Sequence, residues 1–252
     1  MSAEGWYYRS PPPEGWRRKT PEEIAADQAR ALNVWRSTTS IASAPDGKKY
    51  LLGEGLKPDV ALYPDSGDGW PETVAWAVDV FMRPTPPTGP GLVFAINDAN
   101  TGLVCAIQRI PFGRNGLPLR DADGKVKKLG LGPTVGNAFR GSCWPDPQGR
   151  WGIAEGIKNA LAATQLVRFP VWGAVAAGNM ETILPPSWAR HVTIFADDDS
   201  DKIGKGKDVG IKAAARALAK FRAMPQIESS RVLMAPRAGW DAADVLKEGY
   251  YA

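Results

Sequence analysis

The chain has 252 residues, of which 44% are hydrophobic and 23% charged, with a net charge of +4. That is room for one large domain or two modest ones, and the composition is globular rather than disordered. No apolar run approaches the ~20 residues that span a bilayer, and the opening MSAEGWYYRSPPPEGW has no apolar signal core, so the reading is a cytoplasmic protein without a membrane partner. The two cysteines, Cys105 and Cys143, and the single His191 are too few for a four-ligand structural zinc site, so no zinc is expected. The mild basic excess is compatible with nucleic acid. Ten tryptophans can pack a core or stack on bases, and for any single one the core is the better reading.

Residues 1–19 interleave aromatics, prolines and then Arg17, Arg18 and Lys19. The prolines forbid a helix, leaving an extended arm that packs its aromatics on the body or touches nucleic acid. Thr20-Pro21-Glu22-Glu23 is a capping box with proline at the first helical position. It opens a helix ending near Arg36, with Ile24, Ala31, Leu32 and Trp35 on one face. Residues 41–72 are rich in Gly, Pro and Asp and resolve into no clear element. Strands are expected at 73–82, 92–96 and 103–110, the last two forming an antiparallel hairpin about the turn-rich segment 97–102. Beyond Arg109 come a polar loop, Lys125, Lys127 and Lys128, and then LGLGPTVGNAFRG with Arg140 near its end.

From residue 151 the pattern alternates. A short apolar strand (151–154) ends on Glu155-Gly156; a helix over 157–167, a strand at 171–177 and the turn Gly178-Asn179 follow. A strand at 191–196 ends on Asp197, Asp198 and Asp199. A helix capped by Asp208 extends to about Met224, then a strand at 231–235 and the Asp-containing turn around Asp241. Alternating strands and helices argue for a parallel sheet, and ligands bind beyond the carboxyl ends of such strands. Two neighbouring strands would then bring Glu155 and the aspartates to one crevice, where clustered carboxylates call for a hard cation such as Mg²⁺. The loop KIGKGK (202–207) lacks the spacing of a Walker A motif and reads as a solvated insertion.

The ordered set of strand, Glu155-Gly156, helix, strand, Gly178, strand, Asp197-x-Asp199, helix and strand resembles the Toprim domain of primases, topoisomerases and some nucleases, over roughly residues 150–247. The N-terminal half resembles the small subdomain that precedes Toprim in primase catalytic cores. Arg109 at the hairpin's end, Lys127 or Lys128, and Phe139-Arg140-Gly141 stand in matching order. The resemblance implies an α/β fold: a Rossmann-like parallel sheet flanked by helices, preceded by a smaller mixed α+β subdomain with an antiparallel hairpin. It divides the chain into an arm (1–19), a primase-like subdomain (20–148) and a Toprim domain (149–252). It implies Glu155 as general acid/base or metal ligand, although a helix-capping role is the bland alternative. Asp197 and Asp199 become the Mg²⁺ (or Mn²⁺) pair, with Asp198 a third ligand or a solvated neighbour. Arg109, Lys127, Lys128 and Arg140 would face that site and hold nucleotide or template phosphates.

The implied activity is primase-like nucleotidyl transfer with single-stranded DNA and nucleoside triphosphates as partners, in a protein of phage or plasmid type, and with room for a replicative helicase. A Toprim nuclease and a non-catalytic nucleic-acid binding module stay open as alternatives. Many Toprim helices carry an acidic or hydroxyl residue soon after the Glu-Gly pair, whereas this chain has Ile157-Lys158-Asn159.

Overall fold

The structure is a computed structural model that describes residues 17–81, 88–99, 101–142, 144–197 and 209–249. The arm 1–16, Cys143, Asp198, Asp199, the 202–207 loop and the Asp208 cap lie outside the described residues.

The first helix, α1 (Pro21–Arg36), starts as its sequence dictates. The Glu23 amide donates to Thr20 Oγ1 at 3.3 Å, and the Thr20 amide donates to Glu23 at 2.8 Å. Of the expected Ile24-Ala31-Leu32-Trp35 face, Ala31 is buried and Trp35 packs beside it, but the buried stripe is Asp27, Ala31 and Val34, and Ile24 is 40% exposed. An acidic residue can occupy that stripe because Lys19 and Arg30 bracket Asp27; their hydrogen bonds hold its carboxyl below the usual range. The unassigned stretch 41–72 holds a short helix, α2 (Pro45–Gly53), preceded by the two-residue β1 (Thr39–Ser40).

The strands that follow are β2 (Val74–Ala77), β3 (Gly91–Asn97), β4 (Val104–Pro111), β5 (Leu129–Leu131), β6 (Ala138–Arg140), β7 (Arg150–Ala154), β8 (Val171–Gly173), β9 (His191–Ala196) and β10 (Ser229–Met234). Helices α3 (Ile157–Val167), α4 (Val209–Arg222) and α5 (Ala242–Lys247) complete the described elements. β3 and β4 form the expected antiparallel hairpin. All ten described strands join one mixed sheet. Its order runs β5-β4-β3-β6-β8-β7-β9-β10, with β2 continuing the line of β6 beside β3 and β1 outside β2. The Toprim-like part is parallel across β8-β7-β9-β10, and β6 joins it antiparallel through Phe139↔Gly173. The sheet therefore runs unbroken past residue 148, where the sequence led us to expect a domain boundary.

Alternation along the strands sorts the core to two faces. Leu92, Phe94, Phe139 and Ala154 pack with α2, α3 and Ala243 of α5. Val93 and Ile107 pack under α1, and Ala138, Ile153 and Ile194 pack under α4. Trp151 meets Trp172 and Phe221 edge to face at 5.4 and 5.9 Å, so these indoles belong to the core; Trp144 is exposed. Cys105 is buried, which pushes its thiol up to about 11.

Three further expectations change: the strand expected over 73–82 stops at Ala77, and two changes lie in the C-terminal half. The strand expected over 171–177 stops at Gly173, because Val175 turns the chain with φ 71° and Ala177–Asn179 forms a 3₁₀ turn. The Asp241 turn is a helix start: Asp241 accepts from the amides of Ala243 and Asp244, and Asp244 accepts from the Asp241 amide.

Candidate active site

The pairing register defines one transverse row: Ile96, Phe139, Gly173, Ala154, Phe195 and Leu233. Just beyond it the parallel strands end. Glu155 follows β7, and Asp197 follows β9, its hydrogen-bonded neighbour. The structure thus brings Glu155 and Asp197 to one edge, as the sequence pattern requires.

Two residues to which the sequence assigned no role shape the gap between them. Gly210, in the first turn of α4, is buried there. A Cβ at Gly210 would lie 2.9 Å from the Asp197 carbonyl oxygen and 3.5 Å from Glu155 Oε2. Only glycine allows so close an approach of helix to strand end. Asn159, in the first turns of α3 and 4% exposed, donates from Nδ2 to Asp197 Oδ1 at 2.8 Å. Its Oδ1 is buried with no hydrogen-bond partner among the described residues.

The same edge is braced by Asn179. Its amide nitrogen donates to the carbonyls of Thr134, Asn137 and Ala174 at 2.8, 3.0 and 2.8 Å, and its oxygen accepts from the Gly136 amide at 2.8 Å. One side chain thereby ties the glycine-rich loop after β5 to the end of β8. The left-handed Val175 lies between them, a strained conformation for a β-branched residue that this bracing sustains. The only sequence signal for it was the Gly178-Asn179 turn.

The four expected cations fall in different places. Arg109 sits on β4, four strands over from β7, or about 19 Å by strand spacing. It is nearly buried, and its guanidinium donates to the carbonyls of Val80 at 2.8 Å and Gly130 at 3.2 Å. With Arg30, Lys127 and Lys128 it lines a cleft of about 590 Å³ on the α1 face, together with Phe81; Glu155 and Asp197 are not among its walls. Lys127 and Lys128 are exposed. Arg140, on β6, stacks 4.2 Å above Trp172 and donates to the carbonyls of Asp98 and Ala99 at 3.0 and 2.8 Å, holding the turn of the β3-β4 hairpin.

On the opposite face a cleft of about 540 Å³ runs between α2 and α3, with Phe94, Ile110 and Leu161 in its floor and Lys125, Lys128 and Lys158 in its walls. Lys158 donates to Glu54 at 3.0 Å and approaches Asp241 to 4.0 Å. Burial works against its charge, but Asp241 and Glu54 outweigh burial and hold the ammonium above its usual value. Lys158 therefore clamps α3 to α2 and the start of α5.

The donor set at the edge is all oxygen: the carboxylates of Glu155 and Asp197 and the unpartnered amide oxygen of Asn159. Mg²⁺ needs only one or two protein carboxylates plus substrate phosphates, so these residues fit it. Among the described residues no three His, Cys, Asp or Glu side chains cluster. None of the described helices is long and apolar enough to cross a membrane.

Residues 150–250 match the Toprim domain, as the Toprim_3 family describes it. Comparison with curated proteins gave no match. Among solved structures, the chain is similar to the zinc-binding and RNA polymerase domains of the Aquifex aeolicus primase (TM-score 0.55, 16% identity, 90% of this chain and 58% of that one). It is also similar to a DNA primase domain from Pseudomonas aeruginosa (TM-score 0.54, 16% identity, 89% and 74%) and to the DnaG primase catalytic domain solved with single-stranded DNA (TM-score 0.52, 14% identity, 89% and 76%). The chain spans somewhat over half of the Aquifex structure. It thus carries a Toprim domain within the fold of primase catalytic cores, on a mixed α/β sheet flanked by helices.

Proposed function

We propose that the chain is a primase-like nucleotidyltransferase that joins nucleoside triphosphates into short primers on single-stranded DNA. The observation that carries this reading is the meeting of Glu155 and Asp197 at the ends of two paired parallel strands, within a fold shared with primase cores. Asp197, with Asp198 and Asp199 after it, would hold Mg²⁺ or Mn²⁺. Such an ion neutralises charge on the transferring phosphoryl group. Glu155 takes the proton of the attacking hydroxyl, or joins the ligand set.

The cleft of Arg30, Arg109, Lys127 and Lys128 supplies phosphate contacts, with Arg109 held rigid by its carbonyl partners and the exposed lysines adaptable. A single strand is long enough to engage this cleft and the acidic edge together. Arg140 supports the same edge through the hairpin turn. A replicative helicase is the partner that would bring such a core to its template.

The test is primer synthesis on single-stranded templates with labelled triphosphates and Mg²⁺ or Mn²⁺, beside Glu155→Gln and Asp197→Asn. Short products that vanish in both variants support the reading. Metal-dependent shortening of the DNA without synthesis would replace it with a nuclease. Binding unaffected by EDTA, with no chemistry, would leave a binding module.

A further inference from the structure

Asn159 occupies a position where a polar side chain is expensive. It is 4% exposed, on a helix whose neighbouring residues Ala160, Leu161, Ala162 and Ala163 are all buried apolar groups. Its amide orientation is set by chemistry: an ionised carboxylate only accepts, so Nδ2 must face Asp197 Oδ1, at 2.8 Å. That leaves Oδ1 buried, and among the described residues it has no hydrogen-bond partner. An orphaned buried acceptor is costly to the fold and asks for a reason. A helix position that only needed filling would be served by alanine, as at Ala160, Ala162 and Ala163. Asn159 lies four residues after Glu155, one helical turn beyond the strand end, and its bond to Asp197 places its amide beside the carboxylates that Gly210 approaches.

We infer that Asn159 is a positioning residue for divalent-cation binding: its Nδ2 fixes the Asp197 carboxylate, and its Oδ1 accepts from water carried by the cation. This rests on the proposed metal-dependent reading of the same edge. The two halves of the amide do complementary work. The donor half lowers the electrostatic cost of holding Asp197 ionised beside Glu155. The acceptor half suits Mg²⁺, which keeps several of its waters and so presents O–H donors rather than a bare ion. Outer groups of this kind commonly change metal affinity by about 10- to 100-fold. A neutral amide here also keeps the edge less negative than a carboxylate would, so the metal-free chain tolerates the cluster.

The experiment uses the full chain and Mn²⁺ as probe, with affinity read by electron paramagnetic resonance and folding read by urea in EDTA. Asn159→Ala is expected to weaken Mn²⁺ binding about 10-fold. Asn159→Asp keeps an acceptor oxygen but loses the donor; its metal-free form should lose stability as pH rises through the carboxylate range, and Mn²⁺ should restore it. In EDTA, Asn159→Ala and Asp197→Ala should be non-additive by about threefold or more in the folding equilibrium. Additive effects would remove the pairing. A wild type that binds Mn²⁺ no better than Asn159→Ala would remove the positioning role while leaving the metal site. A wild type that does not bind Mn²⁺ at all would remove the metal reading, and the positioning role with it, whatever the cycle in EDTA shows.

Discussion

The acidic edge and the basic cleft are built in opposite ways. Glu155 and Asp197 sit at the ends of adjacent parallel strands, each announced by an apolar run that stops on a carboxylate. The cleft draws Arg30 from α1, Arg109 from β4, and Lys127 and Lys128 from the approach to β5, elements up to about a hundred residues apart. At the edge, position follows from strand register, and one residue of slip would turn a carboxylate to the other face. In the cleft, position follows from packing and from carbonyl anchors on a single buried guanidinium. The edge is therefore sensitive to changes of charge and of very small volume, whereas most of the cleft tolerates substitution except at Arg109.

The sharpest way to break that contrast is to remove one charge at the edge without changing shape. Asp197→Asn should lower primer synthesis by about 100-fold or more, with a urea midpoint near that of the wild type. Equal losses of activity and stability would instead make the edge structural. Next in size is Arg109→Ala, which leaves the Val80 and Gly130 carbonyls without their donor. It should cost about 2–3 kcal/mol in urea unfolding as well as affinity for single-stranded DNA. A variant of wild-type stability would show that those carbonyls find other partners and that the cleft has no rigid anchor.

A third test separates the two ends of β7. Asp146, just before the strand, accepts from Arg150 at 2.8 and 3.0 Å and from the amides of Gln148 and Arg150. Arg150 holds its carboxyl below the usual range. A depressed carboxyl stabilises the fold above its unfolded value near pH 4 and loses that contribution as pH falls through the folded value. Urea midpoints should drop on acidification in the wild type and less steeply in Asp146→Asn, with the same variant keeping its activity at pH 7 per folded molecule. The smallest effect expected is that of Lys127→Ala, an exposed residue. It should leave stability unchanged, weaken single-stranded DNA about threefold, and reduce the salt slope of binding by about 0.7. An unchanged slope would place Lys127 off the path of the strand.

Much of the fold was legible because its signals are local. The Thr20-Glu23 capping box, the 103–110 strand and the Glu155-Gly156 step into a helix each declare themselves within a few residues. The misreadings came where tertiary contacts override local pattern. Asp27 took a core-facing position from Ile24 because Lys19 and Arg30 neutralise it. The strand from Val171 broke at Gly173 because the Asn179 amide gathers three carbonyls and holds Val175 in a left-handed turn.

By itself the sequence determined the alternation of strands and helices from Trp151 to Met234, the strand-end carboxylates Glu155 and Asp197, and the Toprim-like plan, since hydrophobic periodicity and turn chemistry act over short spans. Only the tertiary structure decided that β6 carries one sheet through both halves, that Arg109 and Arg140 serve different surfaces, and that Asn159 and Gly210 shape the gap at the edge. Those facts depend on which groups meet across the sheet. An amide or a glycine carries no sign in the sequence of the neighbour that makes it necessary.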